Sequence, residues 1–166
     1  MLLPYGRRYE LPDDTLIKAL YVASGFGAVI AQRASISGAE AGCQAEIGTA
    51  AAMAAAALVY LHGGSAVQMA NAAAMALKNM MGLVCDPVAG LVEVPCIKRN
   101  AAGAMNALCA AEMALAGIES RIPPDEVIDA MAAVGAALPS SLRETGMGGI
   151  AASPTAVKFR EEFFGQ

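Results

Sequence analysis

Four cysteines, at positions 43, 85, 96 and 109, are the residues of this 166-residue chain best suited to chemistry. Their spacing divides them. Cys85 and Cys96 stand 11 residues apart in GLVCDPVAGLVEVPCIKRN, 82–100, and Cys43 precedes Cys85 by 42. Pro87 and Pro95 each remove a backbone donor and bias the residue before them away from helix. The stretch therefore reads as a fixed loop between helices with a thiol near each end. Cys43 falls at or near the start of another helix, where the helix dipole favours a thiolate over a thiol. Cys109 sits mid-helix in NALCAAEMA, where a neutral buried thiol is expected. No pair is spaced CxxC, so zinc-ribbon and thioredoxin chemistry find no support. Three thiolates from separate places can hold a cubane iron–sulfur cluster by three irons and leave the fourth open as a Lewis acid. Ordinary buried cysteines are the competing reading of the spacing alone.

These thiols need a scaffold, and the composition says which kind. The chain is 57% hydrophobic but only 5% aromatic, because alanine dominates, as in AAAMAAAALVYL at 50–61. Ala has the highest helix propensity and loses almost no side-chain entropy. The expected fold is all-α, a compact Ala-rich bundle of about five to seven helices in one domain, 1–166, with the Cys-bearing loop inserted. A first helix is expected over 13–32, with Gly25 and Gly27 either kinking it or admitting a close neighbour. A second restarts near Glu40–Cys43 and runs to His62 before Gly63–Gly64. Ser65 reads as the N-cap of a third, which Gly82 ends. A fourth spans about 98–115. Pro123–Pro124–Asp125–Glu126 starts a fifth that continues to about Leu138. Residues 145–166 read as a flexible tail or partly ordered arm whose phenylalanines, 159, 163 and 164, could dock on a partner or on the same chain.

Polar residues beside the cysteines have two readings each. Glu40 and Glu46 flank Cys43, and either could hold a substrate ammonium or simply stabilise a helix start. Arg99 and Asn100 follow Cys96 and could meet a substrate carboxylate or cluster charge, or be a solvated helix start. Asp86 is expected to cap its own turn rather than to bind metal. His62 is the only histidine, about 30 Å along a helix from Cys43, and is expected at a helix end rather than as a base. A formal net charge of −4 with no long Lys/Arg cluster argues against nucleic acid. The longest uninterrupted apolar run is about 12 residues against the ~20 that span a bilayer, and the first residues lack the pattern of a signal peptide. A cytoplasmic protein with no membrane partner is expected.

Three stretches carry a resemblance. ISGAE at 36–40, GCQAEIGTAAAMAAAAL at 42–58 and GLVCDPVAGLVEVPCIKRNAAGA at 82–104 resemble the α-chain domain of bacterial iron–sulfur-dependent L-serine dehydratases, enzymes without pyridoxal phosphate. The likeness covers roughly 20–145 and ends loosely in LRETGMGGIA, 142–151. It implies that Cys43, Cys85 and Cys96 hold a 4Fe-4S cluster and that Cys109 has no assigned role. It implies an L-serine ammonia-lyase giving pyruvate and ammonia in amino-acid degradation, working with a β chain or domain in an oligomer. Two features depart from the family pattern. The upstream segment like SGGRVVTAPTNG is absent, so the chain resembles the C-terminal part of an α domain, inactive alone. Lys78 and Asn79 stand where the family often has Glu-His. No residue of the chain is assigned as the base. The competing expectations are a cluster-dependent cysteine desulfidase and a non-catalytic helical subunit that needs a partner.

Overall fold

The computed structural model describes residues 1–165, and among them the regular structure is helical, with no strand. Eight α-helices form: α1 (Leu2–Arg8), α2 (Asp13–Arg33), α3 (Gly38–Ala41), α4 (Thr49–Leu61), α5 (Ala66–Asn79), α6 (Cys96–Leu115), α7 (Pro124–Ala137) and α8 (Pro154–Phe164). The all-α expectation holds. The count exceeds five to seven because the N-terminal residues, the short turn before Cys43 and the C-terminal segment each form a helix of their own.

The central element is α4. Its sequence is apolar all round, and such a helix is stable only when surrounded. It packs against α2, α5 and α6, with Ala51, Ala52, Ala55, Ala56, Ala57, Leu58 and Val59 buried. Alanine at so many contacts lets the four axes approach closely. The stretch Gln44–Leu61 has the length and hydropathy of a membrane span, but two thirds of it is buried inside the bundle, as for a core helix. Helix α2 has a comparable length and hydropathy, with 17% of its apolar stretch buried. It runs as one continuous helix through both glycines. Gly27 faces Met53 at close range, while Gly25 faces open space.

Helix ends follow local chemistry. Ser65 caps α5 in a reciprocal box: its hydroxyl accepts from the Gln68 N–H at 3.2 Å, and the Gln68 side chain accepts from the Ser65 N–H at 2.9 Å. Pro123 and Pro124, followed by Asp125 and Glu126, open α7. His62 lies at the end of α4, exposed, with Nε2 2.7 Å from the Tyr5 hydroxyl of α1. Residues 145–165 carry a short turn of 3₁₀ helix, Gly149–Ala152, and then α8, which folds back on the Cys-bearing loop. Phe159 lines a groove with Val88 and Val94 of that loop, and Phe159, Phe163 and Phe164 are all exposed.

Between α3 and α4 the chain makes one turn of π helix, Gln44–Gly48. Gly42 enters it at φ +79°, and a Cβ there would stand 2.7 Å from the Leu83 carbonyl oxygen. Only glycine satisfies both the left-handed φ and the close approach. Replacing Gly42 with Ala should destabilise the fold by more than about 1 kcal/mol, whereas Gly25→Ala, on an open helical face, should stabilise it by about 0.4–1 kcal/mol. Urea unfolding of the two variants checks this, and equal midpoints would contradict it.

Candidate metal centre

The π turn puts two ligating side chains on the same side. Cys43 precedes it and is buried, while Glu46 lies within it and is exposed. π turns widen the hydrogen-bond ring and recur where a helix must present side chains out of phase. This one is fastened by Gln44, which is fully buried. The Gln44 N–H donates to the Leu83 carbonyl at 2.9 Å, its side-chain oxygen accepts from the Gly82 N–H at 2.8 Å, and its side-chain nitrogen donates to the Met131 carbonyl at 3.1 Å. One residue thus ties the π turn to α7 and to the start of the Cys loop. As a result the Sγ atoms of Cys43 and Cys85 and a Glu46 carboxylate oxygen all lie within 4.8 Å of one another.

The pocket around them is apolar, formed by Ile47, Met80 and Leu83. Burial pushes the Cys43 thiol up, against a hydrogen bond from Cys85 and the charge of Arg99, which pull it down. Cys85 is pushed up strongly, first by burial and then by the neighbouring Cys43. In the metal-free chain burial therefore works against the thiolate expected at Cys43. Cys96 is the first residue of α6, buried, and outside the 4.8 Å group. Its thiol is also raised by burial and lowered by Arg99. Cys109 is exposed, not buried: the core face of α6 is drawn by Gly103, Ala107, Ala110, Ala111 and Ala114, and position 109 falls off it.

The loop between the cysteines is held by a carboxylate. Asp86 is 3% exposed, yet it does not cap its own turn. One oxygen accepts from Arg99 Nη1 at 2.6 Å, and the other accepts from the Ile150 N–H at 2.6 Å. Gly149 makes room, since any Cβ there would run into the Asp86 carboxylate. Arg99 also donates to the Val84 carbonyl at 3.0 Å and interacts with the Cys43 thiol. Burial alone would lower the Arg99 pKa, but Asp86 and Cys43 together raise it. The strand-like pairing continues on Cys85 itself, whose N–H donates to the Leu142 carbonyl at 2.9 Å and whose carbonyl accepts from the Glu144 N–H at 2.7 Å. Segment 142–150 thereby clamps Cys85–Asp86 from both sides.

The remaining candidates divide. Glu40 is exposed and accepts from the Ser35 hydroxyl at 2.5 Å, away from the three-donor group. Asn100 turns back to donate to the Cys96 carbonyl at 2.9 Å. Lys78 donates to Ser120 and Asn79 to Asn106, so both serve packing between α5 and its neighbours. Gln44 and the clamp on Asp86 escaped sequence reasoning, since their partners lie up to 87 residues away.

A family model described as "Serine dehydratase alpha chain" matches residues 1–151. The chain belongs to the serine dehydratase α-chain family. It is 61% identical over 152 residues to a probable L-serine dehydratase α chain of Bacillus subtilis, covering 92% of this chain and 51% of that one. It is 56% identical over 160 residues to a Latilactobacillus sakei protein of the same description, covering 96% and 77%. It is 48% identical over 163 residues to an L-serine dehydratase α chain of Peptoniphilus asaccharolyticus, covering 98% and 56%. The chain thus spans about half the length of two of these family members and about three quarters of the other.

Cys43, Cys85 and Glu46 form a donor set able to hold a metal, and the thiols among them are of the kind that bind iron. Cys43 and Cys85 converge at the π turn and the loop, Cys96 is buried at the start of α6, and the charge of the Arg99 guanidinium acts on both Cys43 and Cys96, which suits an anionic group. Gly38 leaves a cradle next to them, where a Cβ would stand 3.1 Å from Cys85 Sγ and 3.0 Å from Glu46 Oε2.

Two outcomes test this geometry. Asp86→Ala strands the Arg99 charge in a largely buried site and should cost about 3 kcal/mol or more in urea unfolding, whereas Asp86→Asn, which still accepts from Ile150, should cost less. In the metal-free chain near neutral pH, a limiting amount of iodoacetamide should alkylate Cys109 first, since the other three thiols are buried with raised pKa values. Peptide mass spectrometry reads the order, and early labelling of Cys85 would contradict it.

Proposed function

We propose that the chain is part of a pyridoxal-phosphate-independent L-serine ammonia-lyase, with Cys43, Cys85 and Cys96 as the three protein ligands of a 4Fe-4S cluster. The observation that carries this reading is the convergence of Cys43 and Cys85, 42 residues apart in sequence, in a chain of the serine dehydratase family. The overall reaction is a β-elimination. L-Serine loses its α-proton and its hydroxyl as water, the resulting aminoacrylate tautomerises to an imine, and hydrolysis gives pyruvate and ammonia. Hydroxide is a poor leaving group, and a cluster with one iron free of protein ligands supplies a Lewis acid for it when bound.

The chain's own residues do the following work. Pro87, Pro95, the Asp86–Arg99 pair and the clamp from 142–150 hold the loop so that two thiols keep their places. Arg99 sets positive charge beside Cys43, which favours an anionic group there. Its one donor to Asp86 leaves other N–H groups of the guanidinium to meet a substrate carboxylate. Glu46, exposed beside the two thiols, supplies negative charge for the substrate ammonium, with exposed Glu40 a second candidate, and Asn100 in the first turns of α6 offers an amide. The nearby groove of about 520 Å³, which reaches from Ile47 and Asn100 to Met1–Pro4, is mostly apolar and lined by no acidic or basic side chain. No residue of the chain is assigned as the α-proton acceptor, and the chain is proposed to work with a β chain or domain in the cytoplasm.

Anaerobic reconstitution with iron and sulfide tests the reading. The wild-type chain should take up a cluster with its visible absorption, and Cys43→Ala, Cys85→Ala and Cys96→Ala should each lose it, while Cys109→Ala keeps it. Turnover of L-serine to pyruvate should require an added β chain, and preference for L-cysteine with release of sulfide would point instead to a desulfidase. A chain that takes up no iron would overturn the proposal.

A further inference from the structure

We propose that, when no cluster is present, Cys43, Cys85 and Glu46 form a site for one thiophilic divalent cation, zinc or ferrous iron, without Cys96. The inference goes beyond the cluster reading and does not depend on it. Its basis is the difference between the two sets of donors. A tetrahedral ion bound through metal–sulfur bonds of about 2.3 Å holds two sulfurs a little under 4 Å apart, and a carboxylate oxygen at similar range. The Cys43 and Cys85 sulfurs and the Glu46 oxygen already lie within 4.8 Å of one another, so closing on one ion needs movement of less than about 1 Å. Thiolates on different irons of a cluster must stand farther apart, with metal and sulfide between them. Cys96, which the cluster needs, is outside the close group, and Glu46, which the cluster does not need, is inside it.

The surroundings suit an ion. Two thiolates and a carboxylate present a donor set of mixed sulfur and oxygen, which selects zinc or ferrous iron over magnesium or calcium. Once the ion is bound the group carries one net negative charge, and Arg99 lies beside Cys43 to offset it. The two sulfurs are buried, so the ion would be shielded, while exposed Glu46 closes the site from the solvent side. Gly38 keeps the space next to Glu46 and Cys85 free of side chain. A three-donor site of this kind retains one open position for water.

Titration of the cluster-free full chain with Co²⁺ under anaerobic conditions, followed by the thiolate-to-cobalt absorption and by competition with Zn²⁺, reads the site directly. One Co²⁺ should bind per chain, displaced by Zn²⁺. Cys43→Ser and Cys85→Ser should abolish binding, Glu46→Gln should weaken it at least about tenfold, and Cys96→Ser should leave it unchanged. Circular dichroism confirms that each variant is folded. Loss of binding in Cys96→Ser equal to that in Cys43→Ser, or an unaltered affinity in Glu46→Gln, would overturn the proposal. Failure of the cluster reading looks different: Co²⁺ binds as described while reconstitution with iron and sulfide yields no cluster.

Discussion

A carboxylate buried to 3% exposure has to be answered by the rest of the chain, and Asp86 is answered from two directions at once. Arg99 comes from the first turn of α6, and the Ile150 amide comes from the C-terminal segment. Neither partner is local. A buried ion pair of this kind contributes little net stability when both members are present, since each charge has lost its water. What it contributes is a tie: through Asp86 the loop is fastened both to α6 and to segment 142–150. That arrangement is the one in which Cys85, the residue before Asp86, faces Cys43.

The alanine-rich interior supports this by a different route. Small side chains allow α2, α4, α5 and α6 to lie close, so a rigid bundle forms with few large side chains. Close packing gives the π turn a firm base in α4 on one side and α7 on the other. A wide helical turn is a weak structure by itself, because its hydrogen bonds are poorly placed. Here Gln44 makes up for that by satisfying groups on the Cys loop and on α7. The fold is thus stiff where it is apolar and specified by single polar residues where elements of different kinds meet.

This division also explains what could be read in advance. The helices announced themselves through local chemistry: Ser65 with Gln68, Pro123–Pro124 with two acids, the glycines at 63, 64 and 82. Cys43, Cys85 and Cys96 stood out because their neighbours break helices or start them. The π turn was not legible, since nothing in QAEIG distinguishes i→i+5 bonding from the ordinary kind. The roles of Asp86 and Gln44 depend on partners far along the chain, and no local pattern encodes them. The exposure of Cys109 was misjudged for a physical reason. When almost every position of a helix is Ala or another small residue, the sequence has little amphipathic contrast, and the buried face is set by neighbouring helices. Residues 145–165 looked like a tail because they are rich in Gly and Ser, yet two of those glycines fit the clamp: Gly149 admits Asp86, and Gly146 lies against the Pro87 carbonyl.

Loading the seat would change its charge. Without metal, burial holds Cys43, Cys85 and Cys96 as neutral thiols, and the apolar wall of Ile47, Met80 and Leu83 is compatible with them. Ligation requires thiolates, so loading must expel protons and bring in positive charge in the same event. The protein keeps one permanent cation, Arg99, at the edge of the seat, and fixes it with Asp86 so that it stays neutralised when the seat is empty. A free lysine in that place would be attracted to solvent, and an unpaired arginine would carry the full cost of burial. The Asp86–Arg99 pair therefore lets one pocket be stable in an uncharged state and receptive to an anionic one. The same pair can serve either a cluster held by three thiolates or a single ion held by two and a carboxylate.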